Sequence, residues 1–406
     1  MHIDKSHVPV SVFFLLAAPH GLSSGFVSVT LPYVLVQHGF SVATAASITA
    51  IGLSALMWNF LWAPIIDLSF SLHRWYLIGV AFCALSLISV GFIPLDVEMT
   101  GVFMGVVFIS QVAGSISVIP VGGFMAKTVP VSKKGKAGGW YEAGYLGGLG
   151  AGGGAGIWLT EHVNYMTSLM VIAAAILFCA MGLIFLPSIK ATQGTLSDRL
   201  KLVKKDISSL FHSKIALVSL AIILTPIGIG AGSYLWSSVA SNWQVDADTI
   251  ALVTGVLSAL VSVLGCLFGG WFADKKDQWW AFFGAGGLMA LVTLVMAFSP
   301  SVPFVYVSGV LVYAFATGMA YAGFLAIALH AVGKGLASTK MAIFISLGNF
   351  APVYMTALDG WVHDTFGIRH MLLFETLLGA FFIFSCILLL VKLRVPSKRQ
   401  MEMVSE

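Results

Sequence analysis

The chain has 406 residues, 58% of them hydrophobic and only 9% charged, with a mean hydropathy of +0.96 and a formal charge of +4. Soluble domains carry about 25% charged residues, so a water-soluble globule is excluded: this chain could not cover itself with polar surface. The four cysteines, Cys83, Cys179, Cys266 and Cys386, sit singly inside apolar runs; that spacing fits neither a zinc site nor a disulfide framework, and no metal or cofactor is expected.

A helix needs roughly 20 apolar residues to cross a bilayer core. Such runs fall near 8–36, 41–66, 75–94, 101–126, 138–160, 165–186, 215–241, 251–272, 279–298, 304–332, 341–361 and 370–391. They are continuous rather than alternating, which selects helices over a barrel. The first is too long for a cleavable leader and leads directly into the second. With the N-terminus placed in the cytoplasm and twelve segments threaded, every one of the 21 Lys and Arg except Arg369 falls in a cytoplasmic loop. That asymmetry is the positive-inside signal. The basic charge therefore reports topology and implies no nucleic-acid partner.

Polar groups inside these segments are costly in lipid and usually functional. Segment one holds His20 midway, with Ser24 and Ser28 following on one helical face. Histidine titrates near neutral pH, so His20 is a candidate for proton coupling or substrate binding; a hydrogen-bonded core histidine is the alternative. Asp67 closes segment two, and Arg74 follows it. Gln111 and Ser115 lie one turn apart in segment four. In segment five Gly144, Gly148, Gly152 and Gly156 recur every four residues, a pattern that lets another backbone approach closely. Glu142, near the cytoplasmic end of the same segment, either pairs with a basic neighbour such as Lys136 or carries a proton; Tyr145 shares its face.

The longest loop, 187–214, divides the chain. Leu200, Val203, Ile207 and Leu210 recur there at helical spacing, with Ser197 as a candidate cap; this reads as a short amphipathic helix on the inner membrane surface, or as a plain tether. Segment eight carries Gly265 and Gly269 and ends on Asp274 and Lys275. Tyr313, Thr317 and Tyr321 form a stripe in segment ten, and Asn349 is central in segment eleven; with Ser24, Ser28, Gln111, Ser115 and Tyr145 they are candidates to line an amphipathic, aromatic-bearing substrate cavity, helix–helix hydrogen bonding being the alternative for Gln111 and Asn349. Asp359, near the outer end of segment eleven beside Trp361, reads as an interfacial charge. Glu375 in segment twelve reads as a scaffold residue.

The two halves repeat. Pro19, Gly21 and Gly25 in segment one are matched by Pro226, Gly228 and Gly232 in segment seven, and Asp67 by Asp274, all 207 residues apart. Gly144 and Gly348 are 204 apart. Two six-helix units related by an axis along the membrane normal resemble the plan of the major facilitator superfamily. Gly270, Asp274 and Lys275 also resemble that superfamily's loop signature. The resemblance implies a cytoplasmic latch at Asp67, Arg74, Asp274 and Lys275 that biases which side is open. It further implies that first helices line a central cavity and that helices five and eight meet between the halves.

Gly21 to Gly25, the Phe60 to Asp67 end of segment two, and the segment-five run from Gly144 through Leu159 resemble the AmpG-type permeases within that superfamily. That branch contains muropeptide importers, siderophore uptake permeases and acetyl-coenzyme A transporters. The sequence contains no phosphate-binding loop, no His-Glu-x-x-His and no nucleophile elbow, so no enzyme activity and no ATP-driven step are expected.

The expectation is thus an all-α polytopic membrane protein of the major facilitator fold, with 12 transmembrane helices in two pseudo-symmetric halves. These are residues 1–186 and 215–391, joined by the 187–214 linker and followed by a 392–406 tail. As a monomer in a bacterial inner membrane, it would import a small amphipathic solute with a proton. A proton-driven exporter and a non-transporting sensor or scaffold are the alternatives. The topology is tested by labelling from outside: a cysteine placed at Asp246 should react and one at Lys204 should not, and the reverse pattern overturns it.

Overall fold

The computed structural model describes residues 8–129, 134–187, 201, 204, 208, 213–228, 230–332 and 337–393. Among these the secondary structure is entirely helical. The first half contains α1 (Val12–Gln37), α2 (42–68), α3 (Leu72–Val90), α4 (Thr100–Thr128), α5 (Lys134–His162) and α6 (Tyr165–Phe185). The second contains α7 (Lys214–Ile223), α8 (a chain of short helical turns over 231–243), α9 (Ala247–Lys275), α10 (Gln278–Phe298), α11 (Pro303–Val332), α12 (Ala337–Gly348), α13 (Phe350–Phe366) and α14 (Ile368–Leu393).

Side-chain caps start six of these helices. Ser41, Ser71, Asn164, Ser213, Asp246 and Asp277 each accept a hydrogen bond from a backbone N–H two or three residues ahead. Each supplies an oxygen to one of the N–H groups that a helix start leaves unpaired.

Nine helical segments among the described residues are long and apolar enough to cross a membrane. The other three expected segments differ for separate reasons. Helix α5 is long enough, but glycine dilutes its apolar content. The expected segment 215–241 is broken after Ile223: Pro226 lacks a backbone donor, and Gly228 and Gly230 take φ of 64° and 66°, a left-handed region that glycine enters without a Cβ penalty. Segment 341–361 is divided at Asn349 into α12 and α13. The amphipathic stripe of the 187–214 linker lies outside the described residues.

The seam between α1 and α5 is the closest helix contact in the first half. A Cβ built on Gly148 would fall 2.7 Å from the Ala18 carbonyl oxygen. One on Gly144, Gly152 or Gly156 would overlap Phe14, Leu22 or Thr30. From the other side, Gly21 and Gly25 lie against the backbone of Tyr145 and Leu149. The second half repeats the device between α9 and α11, where Gly265 and Gly269 abut Phe315 and Met319 and Gly318 abuts Ser262. These segment-five and segment-eight glycines pack inside each half. The contact between α5 and α9 is made by the next positions round the helix, Gly150 and Gly154 against Ala251 and Gly255.

At the end opposite to the start of α1, further contacts join the halves. The Ala43 N–H donates to Asp364 Oδ2 at 2.8 Å, and Ser237 Oγ donates to the Val29 carbonyl at 2.8 Å. Gly360 lies against Ala46 and Ala43, and His162 stands 3.7 Å from Asp248. Near the start of α1, α12 touches α2.

Overpacking a tight contact costs about 1–3 kcal/mol. Gly148→Val is therefore expected to lower the thermal stability of the purified protein, whereas Gly147→Ala, whose Cβ would sit 3.7 Å from the Phe14 ring, is tolerated. Equal melting of both variants in detergent would refute the seam.

Candidate functional site

A cavity of about 360 Å³ lies between the halves, with lining residues from both. Pockets for small ligands occupy about 300–1,000 Å³. Of the residues singled out in the sequence, His20, Ser28, Glu142, Tyr145, Thr317, Tyr321 and Asn349 reach it.

The α1–α5 seam sets the geometry on the first-half side. Because Gly21 rests on the Tyr145 carbonyl, the neighbouring His20 side chain meets the Tyr145 ring. The rings stack with centroids 5.3 Å apart and an interplanar angle of 19°. Gly114 of α4 leaves the space for the imidazole: a Cβ there would fall 3.0 Å from His20 Nδ1. His20 is 4% exposed, and its Nδ1 has no hydrogen-bond partner. No hydrogen bond or ion pair joins His20 to Glu142 among the described residues; the two groups face the cavity separately.

Tyr321 lines the cavity from the second half and keeps 43% of its surface exposed. Thr317 donates to the Tyr313 carbonyl and lies 3.5 Å from Ser233 Oγ. Asn349 donates to the Ile345 carbonyl at 2.8 Å, satisfying a backbone group at the α12–α13 break. Glu142 is the one residue of fixed charge type in the described lining, which includes neither lysine nor arginine. The surface is otherwise tyrosine, hydroxyl and apolar.

Four cavity candidates are placed elsewhere. Ser24 donates to Gln111 Oε1 at 3.1 Å, and Gln111 Nε2 donates to Ser23 Oγ at 3.0 Å, a buried clasp between α1 and α4. Ser115 donates to its own helix at Val112. Tyr313 is fully buried behind the cavity; its hydroxyl donates to Glu375 and accepts from the Gly232 N–H at 3.1 Å. The stripe of segment ten therefore divides, with Thr317 and Tyr321 at the cavity and Tyr313 in the core.

Several residues escaped the sequence reading. Asn59, Tyr141 and Tyr234 line the cavity, as do Thr254, Ser258 and Ser262. The last three recur every four residues on α9, a stripe legible in the sequence. Asp359 also differs from expectation: it is completely buried rather than interfacial, on the helix whose next residue, Gly360, lies against α2. Glu375, read from the sequence as a scaffold residue, points inward onto Tyr313.

Of the latch residues, Arg74, Asp274 and Lys275 are exposed. The Lys275 ammonium stands 4.8 Å above the Trp271 ring, a cation–π contact within its own helix. The Asp67 side chain lies outside what is described.

The family model described as Major Facilitator Superfamily matches residues 13–356. No curated protein matches the chain in sequence. Solved structures share the fold. A POT family transporter in complex with 5-aminolevulinic acid is 11% identical at a TM-score of 0.73, covering 94% of this chain and 95% of its own. A D-xylose-proton symporter is 12% identical at 0.71, covering 93% and 95%. The nucleoside transporter NupG is 14% identical at 0.73, covering 93% and 98%. A chain with this family match, this fold and a cavity between two helical halves is a multi-pass membrane transporter rather than an enzyme, and it belongs to the Major Facilitator Superfamily.

Proposed function

We propose that the protein is a secondary active transporter that imports a small amphipathic solute together with a proton across the bacterial inner membrane. The observation that carries this reading is the cavity, which both halves line; the contacts that join the halves opposite to the start of α1 are read as a seal at that end. Breaking that seal while closing the other end would expose the cavity to alternate sides. Twelve spans, cytoplasmic termini and a monomeric state complete the reading. The seal, opposite to the start of α1, is then the outer gate, and Asp67, Arg74, Asp274 and Lys275 form the cytoplasmic latch.

The lining favours a neutral or cationic solute. A bare anion would meet Glu142 and neither lysine nor arginine among the described lining residues. Tyr145 and Tyr321 offer aromatic faces, and Thr317, Ser28 and Asn349 offer hydrogen bonds. The AmpG-type resemblance supports inward transport of a siderophore-, muropeptide- or peptide-like molecule, and the cavity volume suits a compact member of that range. His20 and Glu142 are the candidate proton carriers that reach the cavity.

The experiment is proton flux and uptake in proteoliposomes under an imposed pH gradient. Its panel comprises dipeptides, amino acids, monosaccharides, nucleosides and small siderophores. Solute-dependent proton entry in the direction of uptake is expected, and outward solute movement would make the protein an exporter. No flux with any solute would leave a sensor or scaffold.

Two variants probe the parts. His20→Gln should reduce gradient-driven uptake by roughly tenfold or more if the imidazole carries the coupled proton; wild-type rate and gradient dependence would make it structural. Asp364→Ala should raise the reactivity of a cysteine placed at Ala46 toward an impermeant reagent added outside, because the carboxylate that holds the Ala43 N–H is removed. Unchanged labelling would remove Asp364 from the gate.

A further inference from the structure

Behind the cavity, in the core of the second half, two carboxyl groups are buried together. Asp359 of α13 is completely buried, and neither of its oxygens has a hydrogen-bond partner. Glu375 of α14 is 9% exposed; one oxygen accepts from the Tyr313 hydroxyl and the other has no partner. Gly367 joins α13 to α14, the two helices pack against each other, and Asp359 and Glu375 each lie eight residues from that turn, at one level of the helix pair, with Tyr313 bonded to Glu375 there.

The elements packed around the pair supply no compensating charge among the described residues. Helix α11 contributes Tyr306 and Tyr313, with the Tyr306 hydroxyl committed to the Trp236 carbonyl. Helix α8 meets α13 through Ala231, Gly232, Ser233 and Tyr234; of these four only Tyr234 is titratable, it carries no positive charge, and it lines the cavity. The facing part of α2, at Val42, Ala43 and Ala46, is apolar, and α10 supplies Thr293, bonded to Thr376. On α13 the next ionisable groups are His363 and Asp364, which pair with each other at 3.1 Å. On α14, Arg369 is exposed over the Phe298 ring and His370 bonds to the Phe366 carbonyl.

Two like charges in such a place cannot both persist: a desolvated carboxylate without a cation neutralises by taking a proton. We propose that Asp359 and Glu375 form a proton-binding dyad that holds one proton between them and is separate from the transport cavity. Glu375, with the Tyr313 donor, is the better placed to bear the remaining charge. Asp359, with no donor, is the better placed to hold the proton. Such groups titrate as a pair rather than singly.

The dyad is linked to the moving parts. The Tyr313 hydroxyl that donates to Glu375 also accepts from the Gly232 N–H, on the segment just beyond the break at Gly228 and Gly230. The Tyr313 ring packs edge-on against Trp236, with centroids 5.3 Å apart, and Trp236 lines the cavity. A hydrogen bond to a charged acceptor is stronger than one to a neutral acceptor. Taking up or releasing the proton therefore changes how firmly Tyr313 holds the irregular segment beside the cavity. The coupled proton of the proposed import cycle would then bind at a site other than His20 and Glu142. That role in coupling rests on the proposed function; the existence of the dyad does not.

The test uses full-length protein in liposomes and requires no transported solute. Infrared difference spectra between two pH values should contain a protonated-carboxyl band. Asp359→Asn and Glu375→Gln should abolish or shift that band, Glu375→Asp should retain it displaced, and Glu142→Gln should leave it in place. Tyr313→Phe should move its titration without removing it. Absence of the band in wild type, or its persistence unchanged in both Asp359→Asn and Glu375→Gln, overturns the proposal. Because the first measurement is on wild type, a variant that fails to fold does not decide the result. A sodium-dependent loss of the wild-type band would replace the proton with a bound cation and also overturn it. If the band behaves as expected while a proton gradient drives no uptake, the dyad stands and the proton-coupled transport reading falls.

Discussion

The close approach of α1 to α5 is the constraint on which the first half depends. Membrane helices gain little from the hydrophobic effect against one another, because lipid tails are as apolar as leucine; packing and close backbone approach must hold them. Glycines on both sides of this seam remove the side chains that would keep the helices apart. Once the backbones meet, His20 and Tyr145 have little choice but to stack, since each adjoins a point of backbone contact. A structural device thereby fixes the geometry of a candidate functional pair.

The second half uses the same solution between α9 and α11, but its counterpart of α1 is interrupted. Pro19 sits within a helical run, while its repeat partner Pro226 stands where the helix stops. The glycines after each proline make the difference. Gly21 and Gly25 remain helical against α5, whereas Gly228 and Gly230 turn left-handed and lead into short turns. Irregular backbone is tolerated at membrane depth only where protein or a cavity supplies partners. Here the Tyr313 hydroxyl accepts from Gly232, and the Ser237 hydroxyl donates across to Val29. The broken segment thus touches the cavity, the core carboxyl groups and the other half at once.

The polar groups separate into distinct classes. Ser23, Ser24 and Gln111 satisfy one another in a clasp and hold helices together. His20, Glu142, Thr317 and Tyr321 face open space between the halves. Asp359 and Glu375 belong to neither class, being buried without satisfying one another. Intramembrane polarity alone cannot distinguish these classes, because each has the same composition and helical spacing.

The amino-acid sequence alone establishes that the chain is helical and membrane-embedded, that motifs in its two parts recur at a fixed offset, and that glycine-rich faces must meet backbones. These follow from apolar run length, from a 207-residue offset repeated at several positions, and from four-residue glycine spacing, all local or periodic properties. Seven of the cavity residues were legible too, among them His20, Glu142 and Tyr321, which are polar where lipid would forbid polarity. Which helix each glycine face meets emerges only from the packed molecule. The same packing puts Tyr313 in the core while its neighbour Thr317 reaches the cavity. The burial of Asp359 was equally hidden, since a carboxylate near a helix end reads as interfacial until the next residue, Gly360, is seen to lie against α2. Helical periodicity fixes which residues share a face; what that face meets depends on contacts between helices distant in sequence.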